Sequence, residues 1–88
     1  MPATTTSTIT VQVLLFGSYA EALGLATADL AVESPATVQD VLSRLTALPG
    51  GDRLPSNPLC AVNLVHARAE TPLSDQDELA ILPPLAGG

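Results

Sequence analysis

The sequence predicts an α+β fold, a mixed β-sheet with one main helix packed on one face, and three observations predict it. Strand-like apolar segments stand in both halves of the chain. The clearest amphipathic helix lies between them, and Gly/Pro-rich stretches punctuate the parts. Its 88 residues make one domain. A domain of that size buries only about three-fifths of the surface its unfolded chain exposes. Hydrophobic residues are 47% of the chain but Phe16 and Tyr19 are its only aromatics, so Leu, Val, Ile and Ala must fill the core.

Residues 9–16, Ile-Thr-Val-Gln-Val-Leu-Leu-Phe, alternate through Ile9, Val11 and Val13 and close as a continuous apolar run. That pattern predicts a strand whose second half is covered on both faces, with Phe16 in the core and Gly17 ending it. Ser18-Tyr19-Ala20-Glu21 has the spacing of a capping box, so a helix of one or two turns is expected from Ser18 to a left-handed stop at Gly24. Residues 27–32 read as a second strand, antiparallel to the first. Beyond Pro35, Thr37 is the expected N-cap, and Asp40 sits near the positive helix end where a carboxylate is favoured. Val38, Val41, Leu42, Leu45 and Leu48 form one apolar stripe, leaving Gln39, Asp40, Ser43 and Arg44 to water. Pro49-Gly50-Gly51 ends the helix and a loop runs to Pro58. Residues 60–63 and 64–67 read as short strands flanking a turn at Asn63, residues 71–77 as a turn-rich link, and residues 78–82 as the last strand. The order β-β-α-β-β is that of the ubiquitin-like β-grasp. Residues 1–7, rich in Thr, are expected to be a disordered tail, residues 8–82 the domain, and residues 83–88 an extended C-terminal tail.

Composition excludes several function classes. With a net charge of −6, three Arg and no Lys, the surface repels phosphate backbones, so no nucleic acid is expected as a partner. An acidic chain suits a partner with a basic docking face. No apolar run approaches the roughly 18 residues of a membrane span. The first ten residues have neither a basic segment nor an apolar one, so no export or transit signal is read and a cytoplasmic location is expected. Cys60, the only cysteine, cannot form an internal disulfide and is read as a buried small hydrophobe rather than a persulfide carrier. His66 has no second ligand at metal spacing, so no metal site is expected. Asn63 reads as a turn former bonding its local backbone, and Asp75, Asp77 and Glu78 as solvated turn acids.

The C-terminal residues carry the chemistry. Leu82 is followed by Pro83-Pro84-Leu85-Ala86-Gly87-Gly88. Consecutive prolines cannot donate ladder hydrogen bonds and favour an extended chain, and six extended residues reach up to about 20 Å. Two glycines at the tip leave the carboxylate unshielded, as a probe threading into another protein's active site requires. An ionised α-carboxylate is a poor electrophile and needs activation, for example as an acyl-adenylate. Gly50-Gly51 is not followed by a Lys, so the chain has no phosphate-binding loop of its own and a separate enzyme must activate it. Leu85, apolar and beyond the fold, is a candidate partner contact.

In these pieces the sequence resembles the MoaD-like sulfur carriers, the small subunits of molybdopterin synthase. The resemblance is carried by Val13-Leu14-Leu15-Phe16-Gly17 followed by residues 19–24; Ala61-Val62-Asn63; Pro72-Leu73-Ser74-Asp75-Gln76-Asp77-Glu78-Leu79; and Leu82-Pro83-Pro84-Leu85-Ala86-Gly87-Gly88. The Pro-Pro-x-x-Gly-Gly ending after an apolar strand is the most specific of them. The resemblance implies a non-catalytic subunit whose Gly88, beside Gly87, is adenylated and converted to a thiocarboxylate. It implies three protein partners: an ATP-dependent adenylating enzyme, a sulfur donor protein, and a large synthase subunit with which it forms a heterotetramer. Leu82, Pro83, Pro84, Leu85, Ala86 and Phe16 are the partner-binding residues it implies. No cofactor is bound by the chain itself, ATP being used by the activating enzyme. Two other readings share the diglycine: a thiamin-type sulfur carrier, against which Pro83-Pro84 speaks, and a ubiquitin-like protein modifier. Two positions depart from the family pattern: Ala20, where Arg is frequent, and Gln76, where Gly is common. If the backbone is left-handed at Gln76, the side chain costs about 1–2 kcal/mol there.

Overall fold

A computed structural model describes residues 7–55 and 57–83. The elements in chain order are β1 (Ser7–Leu15), α1 (Ser18–Leu23), β2 (Thr27–Ser34), β3 (Ala36–Thr37), α2 (Val38–Thr46), a 3-10 turn (Gly51–Arg53), β4 (Leu59–Val62), β5 (Val65–Ala67), β6 (Pro72–Leu73) and β7 (Glu78–Leu82). Five strands make a mixed sheet in the order β2-β1-β7-β4-β5, and β3 pairs with β6 in a separate two-stranded ladder. β1 is antiparallel to β2 and parallel to β7, which is in turn antiparallel to β4. This is the α+β arrangement of the ubiquitin-like β-grasp. The first ladder residue, Ser7, belongs to β1, one position earlier than the expected domain start; residues 1–6 lie outside the described residues.

The core lies between the sheet and α2. Val38, Val41, Leu42 and Leu45 are buried on the helix side. They meet Val11, Val13 and Leu15 of β1, Cys60 of β4, and Leu79 and Ile81 of β7. Fully burying such a side chain contributes about 1.5–3 kcal/mol, so an aliphatic interior suffices for a small domain. Tyr19 is the aromatic residue in that core; Phe16 is not, being 44% exposed. The expectation that Phe16 is buried fails because β1 keeps period-two alternation to its end. Leu15 points inward, Leu14 is half-buried, and Phe16 continues on the outer face. The apolar run is therefore not covered equally on both faces.

The two helices start differently. At α2 the capping box forms as expected: Thr37 N–H donates to Asp40 Oδ2 at 2.8 Å, and the Thr37 side chain accepts from the Asp40 backbone. The next N–H groups, of Val38 and Gln39, donate to the carbonyls of Thr71 and Ala69, so this helix start is tied to the loop before β6. The helix ends at Thr46, before Leu48, which is half-buried beyond it. At α1 the expected Ser18 cap is absent: Ser18 is already helical and the cap position is Gly17, with no side-chain hydrogen bond. Gly24 closes α1 in the left-handed conformation as expected, at φ 69°.

The second half holds three differences from the sequence reading. The β4–β5 hairpin turns on Asn63 and Leu64, both left-handed (φ 51° and 72°), so Leu64 is turn rather than strand. Asn63 does not bond local backbone. Its Nδ2 donates to Asp77 Oδ1 at 2.9 Å and its Oδ1 accepts from Glu78 N–H at 3.0 Å, across the sheet to the start of β7. The turn acids are likewise more than solvated. Asp75 Oδ1 accepts from Thr10 N–H at 2.7 Å, and Asp77 Oδ2 accepts from Ser74 N–H at 2.8 Å. Gln76 is left-handed at φ 70°, the conformation in which its departure from Gly is costly.

Candidate functional site

Because β1 and β7 are parallel, they finish at the same end of the sheet, with Leu15 opposite Ile81. Both of those side chains are buried, so the next residue on each strand presents its side chain to the outer face. Leu82 is half-buried and pairs across to Leu59 of β4, which is 42% exposed. The register pairs Leu82 with Leu59, and Phe16, exposed and one residue beyond Leu15, stands at the same end of the sheet, so the three form an apolar row there. A second row lies directly behind it, built from Leu14, Ala80 and Ala61. Pro83 follows Leu82, half-buried, with its Cγ 3.2 Å from where a Cβ on Gly17 would lie.

Three of the sequence-predicted partner-binding residues, Phe16, Leu82 and Pro83, are therefore gathered at one end of the outer face. Pro84, Leu85, Ala86, Gly87 and Gly88 lie outside the described residues. Sequence reasoning missed Leu59, Leu14 and Gly17. Strict alternation carried through β1 would have found Leu14, whereas Leu59 joins the row only through the β4–β7 register.

Elsewhere the groups with potential chemistry are occupied structurally. Burial pushes the Cys60 thiol up to about 11, so it is a protonated core group at neutral pH. His66 is exposed at the outer face opposite Ala61, and no group of three His, Cys, Asp or Glu that could hold a metal ion occurs among the described residues. An open groove of about 330 Å³ runs beside β5, lined in part by Pro58, Leu59, His66 and Arg68. No helix among the described residues is long and apolar enough to cross a membrane.

The β-grasp arrangement defines a structural class, and comparison with known proteins narrows it. The ThiS family matches residues 13–88, and the chain belongs to that family, as a sulfur carrier of the ThiS/MoaD type. Among individual relatives, it is 32% identical over 84 residues to the molybdopterin synthase sulfur carrier subunit of Arabidopsis thaliana, covering 94% of this chain and 88% of that one. Among solved structures, SAMP1 from Haloferax volcanii superposes with a TM-score of 0.78 at 30% identity, over 90% of this chain and 99% of that chain. Small archaeal modifier protein 1 from Methanosarcina acetivorans does so with a TM-score of 0.74 at 31% identity, over 93% and 99%. The suspected likeness to MoaD-like carriers is thereby upheld.

Proposed function

We propose that this chain is the sulfur-carrying small subunit of a molybdopterin synthase, acting in the cytoplasm through the carboxylate of Gly88. An adenylating enzyme joins that carboxylate to the α-phosphate of ATP, releasing pyrophosphate. Sulfide-level sulfur supplied by a donor protein then attacks the acyl carbon, and AMP leaves, giving a thiocarboxylate. The C-terminal residues enter the large subunit, where the sulfur attacks a bound pyranopterin precursor, and hydrolysis of the resulting acyl group restores the carboxylate. A heterotetramer of two small and two large subunits is the assembly this reading implies. The chain's net charge of −6 supports an arrangement in which the partner, not the carrier, binds the anionic pterin.

The observation that carries the reading is the placement of exposed Phe16 and Leu59 with half-buried Leu82 in an apolar row at the sheet end from which Pro83 departs. Such a row is a ready docking surface beside the C-terminal segment. Identity of 32% to a plant molybdopterin synthase sulfur carrier subunit favours molybdopterin over thiamin chemistry.

A second reading, attachment of Gly88 to amines of other proteins, is favoured by the 30–31% identity to the two archaeal modifier proteins. The chain has no Lys, so in that role it would be attached singly rather than polymerised through its own side-chain amines.

Intact mass after incubation with ATP, a cognate adenylating enzyme and a sulfur donor tests the proposal. One oxygen exchanged for sulfur, localised to the C-terminal peptide and consumed by a large subunit with its pterin substrate, is the expected result. An unaltered mass, with the enzymes active on another carrier, would overturn it. A thiocarboxylate that the synthase leaves untouched while lysines of other proteins are modified would move the assignment to the modifier.

A further inference from the structure

We infer that Gly17 is a seat for the Pro83 ring and that this contact aims the C-terminal residues as they leave the domain; the inference rests on the carrier reading, in which those residues do the chemistry. Parallel pairing of Leu15 with Ile81 brings the turn after β1 and the exit from β7 side by side. At that turn Gly17 has φ 58° and ψ −134°, a conformation that side-chain-bearing residues rarely adopt. The space is also taken. A Cβ built on Gly17 would lie 3.2 Å from Pro83 Cγ and 4.0 Å from Pro83 Cβ. Gly24 makes the contrast: it too has a positive φ, of 69°, but a Cβ there meets nothing within 4 Å. Gly24 is needed only for its backbone, whereas Gly17 is needed both for its backbone and for the bare surface under Pro83.

The contact matters because of where it falls. Proline locks its own φ near −65°, so a ring that is also held against Gly17 leaves little freedom at the base of the segment. Five further residues span at most about 17 Å when drawn out. A change of direction at the base is carried to whatever follows it, and misplacing a reacting group costs rate. Gly17 and Pro83 are positioning residues in this scheme. They touch no reacting atom and act through the direction given to Gly88.

The test uses the full chain with its adenylating enzyme and ATP, following pyrophosphate release for wild type, Pro83→Ala, Gly17→Ala and the double variant, with thermal melts in parallel. Each single variant is expected to lower kcat by about tenfold, and for Gly17→Ala, which leaves Phe16, Leu82, Leu59 and Pro83 in place, KM for the carrier stays within about twofold. The double variant should be no slower than the slower single, since both changes break one contact. If Gly17→Ala melts below the assay temperature, Pro83→Ala and Pro83→Gly still carry the test, because Pro83 lies beyond the last strand. Wild-type kcat in the Pro83 variants, or single effects that multiply in the double, would overturn the seat and leave the carrier reading standing. A wild-type chain that an enzyme active on another carrier does not adenylate would overturn both.

Discussion

Asn63 offers the sharpest test of how the fold holds its turn, because one side chain links segments 14 and 15 residues apart. Its amide donates to Asp77 Oδ1 and accepts from Glu78 N–H, while its own backbone N–H donates to the Glu78 carbonyl at 2.8 Å. Replacing it with Ala removes the two side-chain bonds and leaves the backbone bond. Exposed bonds of this kind contribute about 0.5–1.5 kcal/mol each. Ala must also occupy the left-handed conformation that Asn tolerates, at a cost of about 1 kcal/mol. The sum is a destabilisation of about 2–4 kcal/mol, which lowers Tm by roughly 10–30 °C in a domain of this size.

Asn63→Asp separates the bonding from the geometry. The introduced carboxylate can still accept from Glu78 N–H, but it now faces Asp77 where an amide nitrogen stood 2.9 Å away. Two carboxylates that close repel by about 1 kcal/mol or more even in water, and the pair can relieve this by holding a proton. That repulsion disfavours the doubly ionised pair in the folded state more than in the unfolded chain, where the two groups are apart. The sign follows: the variant's stability relative to wild type is highest below about pH 4 and falls as pH rises through the carboxylate range. Thermal unfolding followed by far-UV circular dichroism at pH 7 and pH 4, with wild type measured at each pH, reads both effects. A wild-type Tm for Asn63→Ala, or an Asn63→Asp deficit identical at the two pH values, would refute the reasoning.

Gln76→Gly should raise stability by about 0.5–1 kcal/mol, the relief of its positive φ outweighing the entropy Gly adds to the unfolded chain; a denaturant midpoint below wild type would count against this. Gly50→Ala should cost about 2–3 kcal/mol in urea melts, since its Cβ would fall 1.9 Å from the Ala22 carbonyl oxygen at φ 87°. The Cys60 thiol, pushed up to about 11 from 9.0 by burial, should react with iodoacetamide at pH 8 roughly a hundredfold more slowly in the folded chain than in urea. Because its folded value lies above its unfolded one, the corresponding stabilisation is complete below pH 9 and is lost as pH climbs toward 11. Deleting Gly88 should abolish the sulfur-for-oxygen mass shift while leaving Tm unchanged, with unimpaired sulfur loading as the contrary result.

What was legible in the sequence is what depends on short-range periodicity. The α2 stripe and its Thr37–Asp40 cap follow from spacings of three and four residues, and both form. The pairing of Ala36 with Leu73 and of Thr37 with Pro72 was hidden, because a two-residue ladder has no period of its own and exists only once α2 and the loop before β6 are docked. Asn63 was correctly placed in a turn, yet its partners could not be read, since the β4–β7 register that brings Asp77 and Glu78 within reach is a tertiary fact. Ser18 lost the capping position to Gly17 for a similar reason. The local pattern favours Ser, whereas the turn between β1 and α1 takes the cap residue to φ 58° and ψ −134°, a conformation that suits Gly17. Phe16 was misread by letting an apolar run override the alternation that precedes it. For the apolar row at that end of the sheet, the sequence supplied Phe16 and Leu82, and the sheet order supplied Leu59.

That sheet order also explains why a carrier can put its chemistry at the end of β7. β7 lies between β1 and β4, so the strand from which Pro83 departs is paired on both sides, and Leu79 and Ile81 are fully buried beneath it. A pull on the C-terminal segment by a partner's active site is opposed by two ladders and by the main core at once. The edges of the sheet are β2 and β5, far from that load. Had the last strand been an edge, one ladder would have held it, and engaging the C-terminal residues would have competed with fraying of the sheet. With β7 central, the carrier reading expects substitutions beyond Leu82 to alter engagement of partners, and those in β1, α2 and β7 to alter whether the domain folds.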